Sequence, residues 1–352
     1  MRADPGLDAS RIGATLDAQY DLAVGSVTFL PISLDHRVAV CEIVSLDGRP
    51  WFLKATIGRV RSSGLIVPAA LVDQGVPNIM APIRTRSGEL SCGLDGDTGI
   101  RLVLFPFIDG GNAKVVGLSD QQWRTFGATL RAVHDSGLGE QFGELLPTET
   151  FALPSAIKVR GLLELLRGTR SRSPVARRHA VFWLENAGLF ERLLDRAEAF
   201  GTLLAQRQFD TVLCHGDIHA ANILVAGDGR IFLSDWDGPP EPLIAPRERD
   251  LLFVIGSRIA RPVEPWEERL FFEGYGPVSI DRNALVYFRY ERIVQDLGEY
   301  GESVFLSQDL GEDARADDAA AVVAFFEPDG AVDMVEDVDD RWASGPSSAH
   351  HE

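Results

Sequence analysis

Between Cys214 and Asp237 the chain sets three oxygen-bearing side chains at short intervals: Asp217, Asn222 and Asp235. They sit in His215-Gly216-Asp217-Ile218-His219-Ala220-Ala221-Asn222 and in Ile231-Phe232-Leu233-Ser234-Asp235. Such a set can transfer the γ-phosphoryl group of a nucleotide. That reaction needs a carboxylate to accept the proton of an attacking hydroxyl, and oxygen ligands to hold Mg²⁺ on the phosphates. Asp217 suits the first task; Asn222 and Asp235 suit the second. An Asp or Asn alone in a loop is only a turn former, so the reading rests on the three together and on what surrounds them.

The surroundings fit. Thr211-Val212-Leu213-Cys214 reads as a strand entering the loop and Ile223-Leu224-Val225 as a strand leaving it. Ala226-Gly227-Asp228-Gly229-Arg230 then makes a hairpin into Ile231-Phe232-Leu233, which brings Asp235 beside Asn222.

His-Gly-Asp, four residues, Asn, then a hairpin and Asp resembles the aminoglycoside phosphotransferase family, relatives of the protein kinases. Asp235-Trp236-Asp237 stands where kinases have Asp-Phe-Gly. The resemblance implies a catalytic base at Asp217, metal ligands at Asn222 and Asp235, and loop-holding roles for His215 and His219. It also gives meaning to Lys54, the one Lys in the apolar strand Trp51-Phe52-Leu53-Lys54-Ala55. The family places there the ammonium that holds the α- and β-phosphates; a Lys snorkelling from a strand end is the alternative. Such a Lys normally pairs with a Glu on the following helix. Here the only carboxylate between Lys54 and Glu89 is Asp73, in the helix-like stretch from Pro68 to Gln74. Asp73, Glu42 and Asp235 are all candidate partners.

Upstream, Val24 to Leu30 and His36 to Val44 suggest two strands joined by a turn that is not glycine-rich. Ile100 to Ile108 is an apolar strand stopped by Pro106 and by Gly110-Gly111. By the resemblance this is the hinge, where the nucleotide base would bond the Pro106 carbonyl and the Ile108 amide; Pro is harmless at a position that only accepts. An edge strand ended by Pro reads the same way.

From Leu118 to about Gln208 the spacing is helical, with Trp123, Phe126, Leu130 and Val133 on one face and Ser119 as N-cap. His134 fits core packing, and the Arg- and Ser-rich run from Arg167 to Arg178 reads as a solvated loop. Pro246 opens a helix carrying Asp250, which the resemblance makes an organiser of the catalytic loop; an acid in a first helical turn is also favoured by the dipole. Asp296, Glu299 and Glu302 fall near one flank of a later helix and are candidates to receive the amines of an aminocyclitol, or simply a solvated face. The Asp-Trp-Asp run, Pro246 to Leu251, and Asp296-Leu297-Gly298-Glu299-Tyr300 are together most like the spectinomycin phosphotransferase branch.

Composition bounds the rest. With 352 residues, 45% hydrophobic and 24% charged, the chain has the make-up of a soluble globular protein of two lobes. No apolar run approaches membrane-spanning length and the first residues lack a secretory pattern, so no membrane association and a cytoplasmic location are expected. Cys41, Cys92 and Cys214 lack metal spacing and read as buried thiols. A net charge of -18 argues against nucleic acid as a partner and favours a cationic small molecule, or serves solubility alone.

The expectation is an α+β, two-lobe protein-kinase-like fold: a small β-rich lobe over residues 1–107, a larger helical lobe over 108–325, and a disordered acidic tail over 326–352. Its function would be transfer of the γ-phosphoryl group of Mg²⁺-bound ATP, or GTP, to a hydroxyl of an aminocyclitol or aminoglycoside antibiotic, with spectinomycin as the candidate. The same motifs serve kinases of choline, homoserine or methylthioribose, and a weakly catalytic nucleotide-binding scaffold would fit the missing Glu.

Overall fold

The structure, a computed structural model, describes residues 6–33, 37–58, 60–96, 99–168, 173–307, 310–328 and 330–335. Helix α1 (Ala9–Tyr20) precedes strands β1 (Val24–Leu30), β2 (Val38–Ser45) and β3 (Pro50–Ile57), then helix α2 (Ser63–Asp73). Strands β4 (Cys92–Gly93), β5 (Ile100–Pro106) and β6 (Gly110–Asn112) follow. Six helices come next: α3 (Ala113–Val116), α4 (Asp120–His134), α5 (Leu138–Gln141), α6 (Pro154–Gly168), α7 (Pro174–Glu185) and α8 (Ala187–Leu204). Strand β7 (Thr211–Cys214) leads to a 3₁₀ turn, Ala220–Asn222, and the hairpin β8 (Ile223–Ala226) and β9 (Ile231–Leu233). The chain ends in β10 (Leu243–Pro246), α9 (Glu248–Leu251), α10 (Pro265–Tyr275), α11 (Arg282–Leu306) and α12 (Glu312–Ala324). Among the described residues no helix is long and apolar enough to cross a membrane.

Contacts divide the chain otherwise than at the expected boundary after Phe107. One compact unit holds Met1–Pro147, His215–Leu243 and Glu273–Tyr275; the other holds Thr148–Cys214, Ile244–Phe272 and Gly276–Glu352. The hairpin bearing Asn222 and Asp235 therefore belongs with the N-terminal sheet.

In the first unit, β1-β2-β3-β5-β4 form one sheet, antiparallel in every pairing. Period-two alternation sorts its side chains. Cys41, Ile43, Leu53, Ala55, Leu102 and Leu104 pack with Ile12 and Leu16 of α1. The intervening residues Val103 and Phe105 pack with Leu65 of α2 and with Met80, and Phe52 joins them. Lys54 lies between Leu53 and Ala55 and so projects on the second face, toward α2. Helix α2 starts at Ser63, five residues before the expected Pro68, with Pro68 in its interior. Ser63, Gly64 and Pro68 are poor helix formers, so tertiary packing imposes this helix: seven of its residues, including Leu65, Val67 and Leu71, are buried. Helix α4 has the expected cap, with the Ser119 hydroxyl accepting from the Gln122 backbone amide at 3.4 Å and the Gln122 side-chain Oε1 accepting from the Ser119 backbone amide at 2.8 Å.

The second unit is mostly helical, with α11 buried along most of its 25 residues. Two expectations are corrected here. The Arg- and Ser-rich run is not one loop, because α6 continues to Gly168 and α7 begins at Pro174, capped by Ser173, whose side chain accepts from the Ala176 amide at 3.0 Å. The start of the acidic tail is packed rather than disordered: Ala331, Val332, Met334 and Val335 are buried, and Phe326 lies 5.2 Å from the ring of Phe190. These apolar residues outweigh the neighbouring acids; Glu336, Asp337, Asp339 and Asp340 lie outside the described residues, as does His36. Cys41, Cys92 and Cys214 are buried thiols outside any disulfide.

Candidate active site

The loop after β7 is shaped by its own backbone. Gly216 has φ +87°, and a Cβ there would meet the Leu243 side chain at 2.9 Å and the Pro240 ring at 3.2 Å. That left-handed bend turns Asp217 back over His215. The His215 Nδ1 accepts from the Asp217 amide at 3.3 Å, and Nε2 faces the Ser234 carbonyl at 3.0 Å. A ring that accepts at Nδ1 must donate at Nε2, which defines the neutral Nε2–H form. Buried against Trp236 at 4.3 Å between ring centres, His215 ties the loop to the end of β9.

His219 caps the 3₁₀ turn, its Nδ1 accepting from the Ala221 amide at 3.2 Å, while its Nε2 lies 3.6 Å from Asp217 Oδ2. Asn222 donates through Nδ2 to the Asp217 carbonyl at 2.8 Å and to Asp217 Oδ2 at 3.3 Å. This turns the Asn222 amide oxygen, the atom a cation would take, away from Asp217. The Asn222 carbonyl accepts from the Ser234 amide and hydroxyl, both at 2.9 Å. Since Ile223 pairs with Leu233, residues 222 and 235 are held at one end of the hairpin. The expected turn is present, with Gly229 at φ +86°.

Asp235 has φ +62°, left-handed backbone that costs a non-glycine residue about 1 kcal/mol. The packing around it fixes that conformation: Trp236 is buried and donates Nε1–H to the Leu233 carbonyl at 3.0 Å, and Leu233 is bridged to the segment after α2 through Asn78 and Met80. Backbone strain of this kind concentrates where a side chain must be aimed.

Lys54 Nζ lies 2.7 Å from Asp235 Oδ1 and 2.6 Å from Asp237 Oδ1, with the Phe105 ring 5.8 Å away. Burial alone would depress the ammonium; Asp237 and then Asp235 outweigh it and hold Lys54 above its usual value. Lys54 in turn keeps the Asp235 carboxyl below its usual range. Of the three candidate partners, the one met is Asp235. Asp73 is engaged by Arg84 at 2.7 Å, and Glu42 sits in β2 opposite Phe52.

The first unit thus brings together Lys54, Asp217, Asn222, Asp235 and His215. Pro106 closes β5 in the same unit, and Ile108 joins the cluster of Val103 and Phe105 with Phe52, Leu224 and Phe232, apolar surface contributed by the same hairpin. Asp250, Asp296, Glu299 and Glu302 belong to the second unit. There Asp250 is fully buried in α9. Asp296 pairs with Arg292 at 3.0 Å, Glu302 with Lys158 at 2.7 Å, and Glu299 accepts from Gln295 at 3.1 Å.

Two members of the constellation escaped the sequence reading: Asp237, and the approach of His219 to Asp217. The signal for Asp237 was present in the lack of any Glu after Lys54 and in the Asp-x-Asp spacing. The oxygen donors left for a cation are the amide oxygen of Asn222, a buried residue, and the carboxylate of Asp235, a side chain 46% exposed. Hard oxygen donors of this kind suit Mg²⁺.

Comparison with known proteins follows these lines. Residues 67–238 match the phosphotransferase enzyme family, APH. No curated protein matches the sequence. Among solved structures, spectinomycin phosphotransferase APH(9)-Ia in complex with ADP and spectinomycin is similar at a TM-score of 0.84 and 27% identity, over 95% of this chain and 99% of that one. Its AMP-bound complex gives 0.81 and 28%, over 94% and 98%. Choline kinase from Streptococcus pneumoniae, at 0.52 and 14% over 90% and 98%, shares the fold alone. The sheet-rich N-terminal region and helical C-terminal region are those of the kinase-like fold, and residues 67–238, which include the catalytic loop and hairpin, are the part that matches the phosphotransferase enzyme family.

Proposed function

We propose that this phosphotransferase moves the γ-phosphoryl group of a Mg²⁺-nucleotide to a hydroxyl of a cationic aminocyclitol of the spectinomycin type. The observation that carries the reading is the geometry at Asp217. A carboxylate bonded by the Asn222 amide, with a histidine Nε2 at 3.6 Å, is held rigidly at the end of the strand pair that also presents Asp235. The match to a structure containing both ADP and spectinomycin supports the choice of substrates.

Asn222 and Asp235 are the residues that would hold Mg²⁺, whose bound charge would offset that on the phosphate oxygens. Lys54 neutralises phosphate charge from the other side and holds the nucleotide in register for in-line attack. Asp217 orients the substrate hydroxyl and takes its proton at a carboxylate oxygen. His215 keeps the loop fixed, so the base is placed before substrate arrives. The nucleotide base is placed at the hinge, on the Pro106 carbonyl and the Ile108 amide beside the apolar cluster of Phe52, Ile108, Leu224 and Phe232. Asp250 is assigned an organising role and touches no reactant.

The substrate ammonium groups are assigned to the acids of α11. Asp296 and Glu302 can take one only by releasing Arg292 or Lys158, whereas Glu299 has a neutral partner in Gln295 and can take one without breaking an ion pair. The test is a nucleotide-consumption screen over aminocyclitols, aminoglycosides and small metabolites, with ATP and GTP in parallel and mass detection of product. Spectinomycin or a close aminocyclitol should gain one phosphoryl group. A product formed only from a neutral or anionic metabolite would overturn the substrate assignment, and nucleotide binding with no product at all would make the chain a scaffold.

A further inference from the structure

We infer that Asp237, not a carboxylate of α2, is the residue that positions Lys54 on the nucleotide phosphates, and that Gly64 is what makes this possible. The inference rests on the phosphotransferase reading above and deepens it.

Lys54 has two carboxylate partners at nearly equal distance, 2.7 Å for Asp235 and 2.6 Å for Asp237. They are not equivalent. The Asp235 side chain is 46% exposed, and Asp237 is 14% exposed. A cation arriving with the nucleotide competes with Lys54 for the outward carboxylate, Asp235. The inward one, Asp237, then remains to balance the ammonium and keep it aimed. A lysine left without any partner at a buried position would swing toward solvent or lose its charge.

Helix α2 offers no alternative. Its only carboxylate, Asp73, is at its last residue and pairs with Arg84 at 2.7 Å. Instead the first turn of α2 supports the segment that bears Asp237. A Cβ at Gly64 would lie 2.5 Å from the Asp237 Cα and 2.6 Å from the Trp236 carbonyl oxygen. Both are backbone atoms of a segment pinned by the buried Trp236, so neither can yield and only glycine fits. Arg61 Nη1 donates to the Asp237 carbonyl at 3.4 Å, and the Ser63 hydroxyl bonds the Glu241 carboxylate on the other side. The helix start thus acts through backbone contact, on Asp237, where a helix glutamate would act through its own carboxylate. Asp237 is a positioning residue.

The experiment is a double-mutant cycle on nucleotide KM and kcat, joined to calorimetry of Mg²⁺-ADP binding. Asp237→Asn should raise nucleotide KM about tenfold with a smaller change in kcat, and Asp237→Glu should recover part of the loss. Asp73→Asn should behave as the parent. The Lys54→Ala, Asp237→Asn double variant should be no worse than Lys54→Ala alone, because the second change has nothing left to act through. Gly64→Ala removes no charge yet displaces Asp237, and should weaken Mg²⁺-ADP binding in the same direction. Parental KM in Asp237→Asn, additive losses in the double variant, or failure of both Asp237 variants to fold would overturn the inference. A parent that binds no Mg²⁺-nucleotide would sink the phosphotransferase reading together with it. A parent that turns over while Asp237→Asn is unaffected would sink only the role of Asp237.

Discussion

Lys54 stands between two carboxylates, Asp235 at 2.7 Å and Asp237 at 2.6 Å, whereas on α11 Asp296 meets Arg292 at 3.0 Å and Glu302 meets Lys158 at 2.7 Å. Of these, Arg292–Asp296 is spaced i,i+4, where helix geometry brings side chains together without help from the fold, whereas Lys158–Glu302 joins α6 to α11. The Lys54 set joins residues over 180 positions apart and includes an aspartate with left-handed backbone. One cation shared by two acids is an arrangement that can exchange partners when a ligand arrives. An acid held by a single cation has to release it first. The difference lies in how readily each set can take a ligand: at Lys54 one carboxylate can be released while the other stays, and on α11 Glu299, with its neutral partner Gln295, is the acid best placed to receive a cation.

The largest effect expected at the first set is from Asp235→Ala. Removing the outward carboxylate should lower turnover by about 10³ or more and weaken Mg²⁺-nucleotide binding measured by calorimetry. Unchanged binding there would place the nucleotide elsewhere. Lys54→Ala should be milder, raising nucleotide KM about tenfold in steady-state kinetics, since Mg²⁺ still neutralises part of the phosphate charge. Equal and unchanged KM in the two variants would erase the contrast drawn here.

How much of this was legible in the sequence follows from the range of the interactions. Asp217, Asn222 and Asp235 are fixed by a loop and a hairpin, local structure whose signals lie within about 25 residues, and they could be read directly. The strand of Lys54, the cap at Ser119 and the strand ending at Pro106 were legible for the same reason. Asp237 was not, because its role depends on Gly64 allowing two distant backbones to touch, and a glycine in a helix start carries no such message alone. The start of α2 at Ser63 and the packing of residues 331–335 were misread because burial overrode local propensity.

The second unit supplies a pH test that leaves the site alone. His179 is buried with its Nε2 accepting from Trp183 Nε1–H at 3.0 Å and its ring stacked on Phe182 and Phe305. Burial pushes its pKa down to about 4. The unfolded chain binds that proton first, so the stability from neutral His179 is fully present above about 6.5 and is lost as pH falls toward about 4. Thermal unfolding of the parent should show this loss, and His179→Phe should lack that part of it. A variant with the parent's acid dependence would contradict the burial argument.

The smallest effect is expected on α11. Glu299→Gln alone should raise the KM of a cationic substrate by about two- to fivefold, leave the nucleotide KM unchanged and matter less at high salt. Adding Asp296→Asn and Glu302→Gln removes two further carboxylates and should weaken binding of the cationic substrate further. A KM unchanged across that series would make these acids a solvated face only.

Asp217→Asn decides the central claim, because it keeps the shape of the base and removes its chemistry. Phosphorylated product should be followed by mass, and Mg²⁺-ADP affinity by calorimetry, in parent and variant side by side. If Asp217 takes the hydroxyl proton, turnover falls by about 10² or more while nucleotide affinity stays within about twofold. Near-parental turnover in the variant would contradict the account.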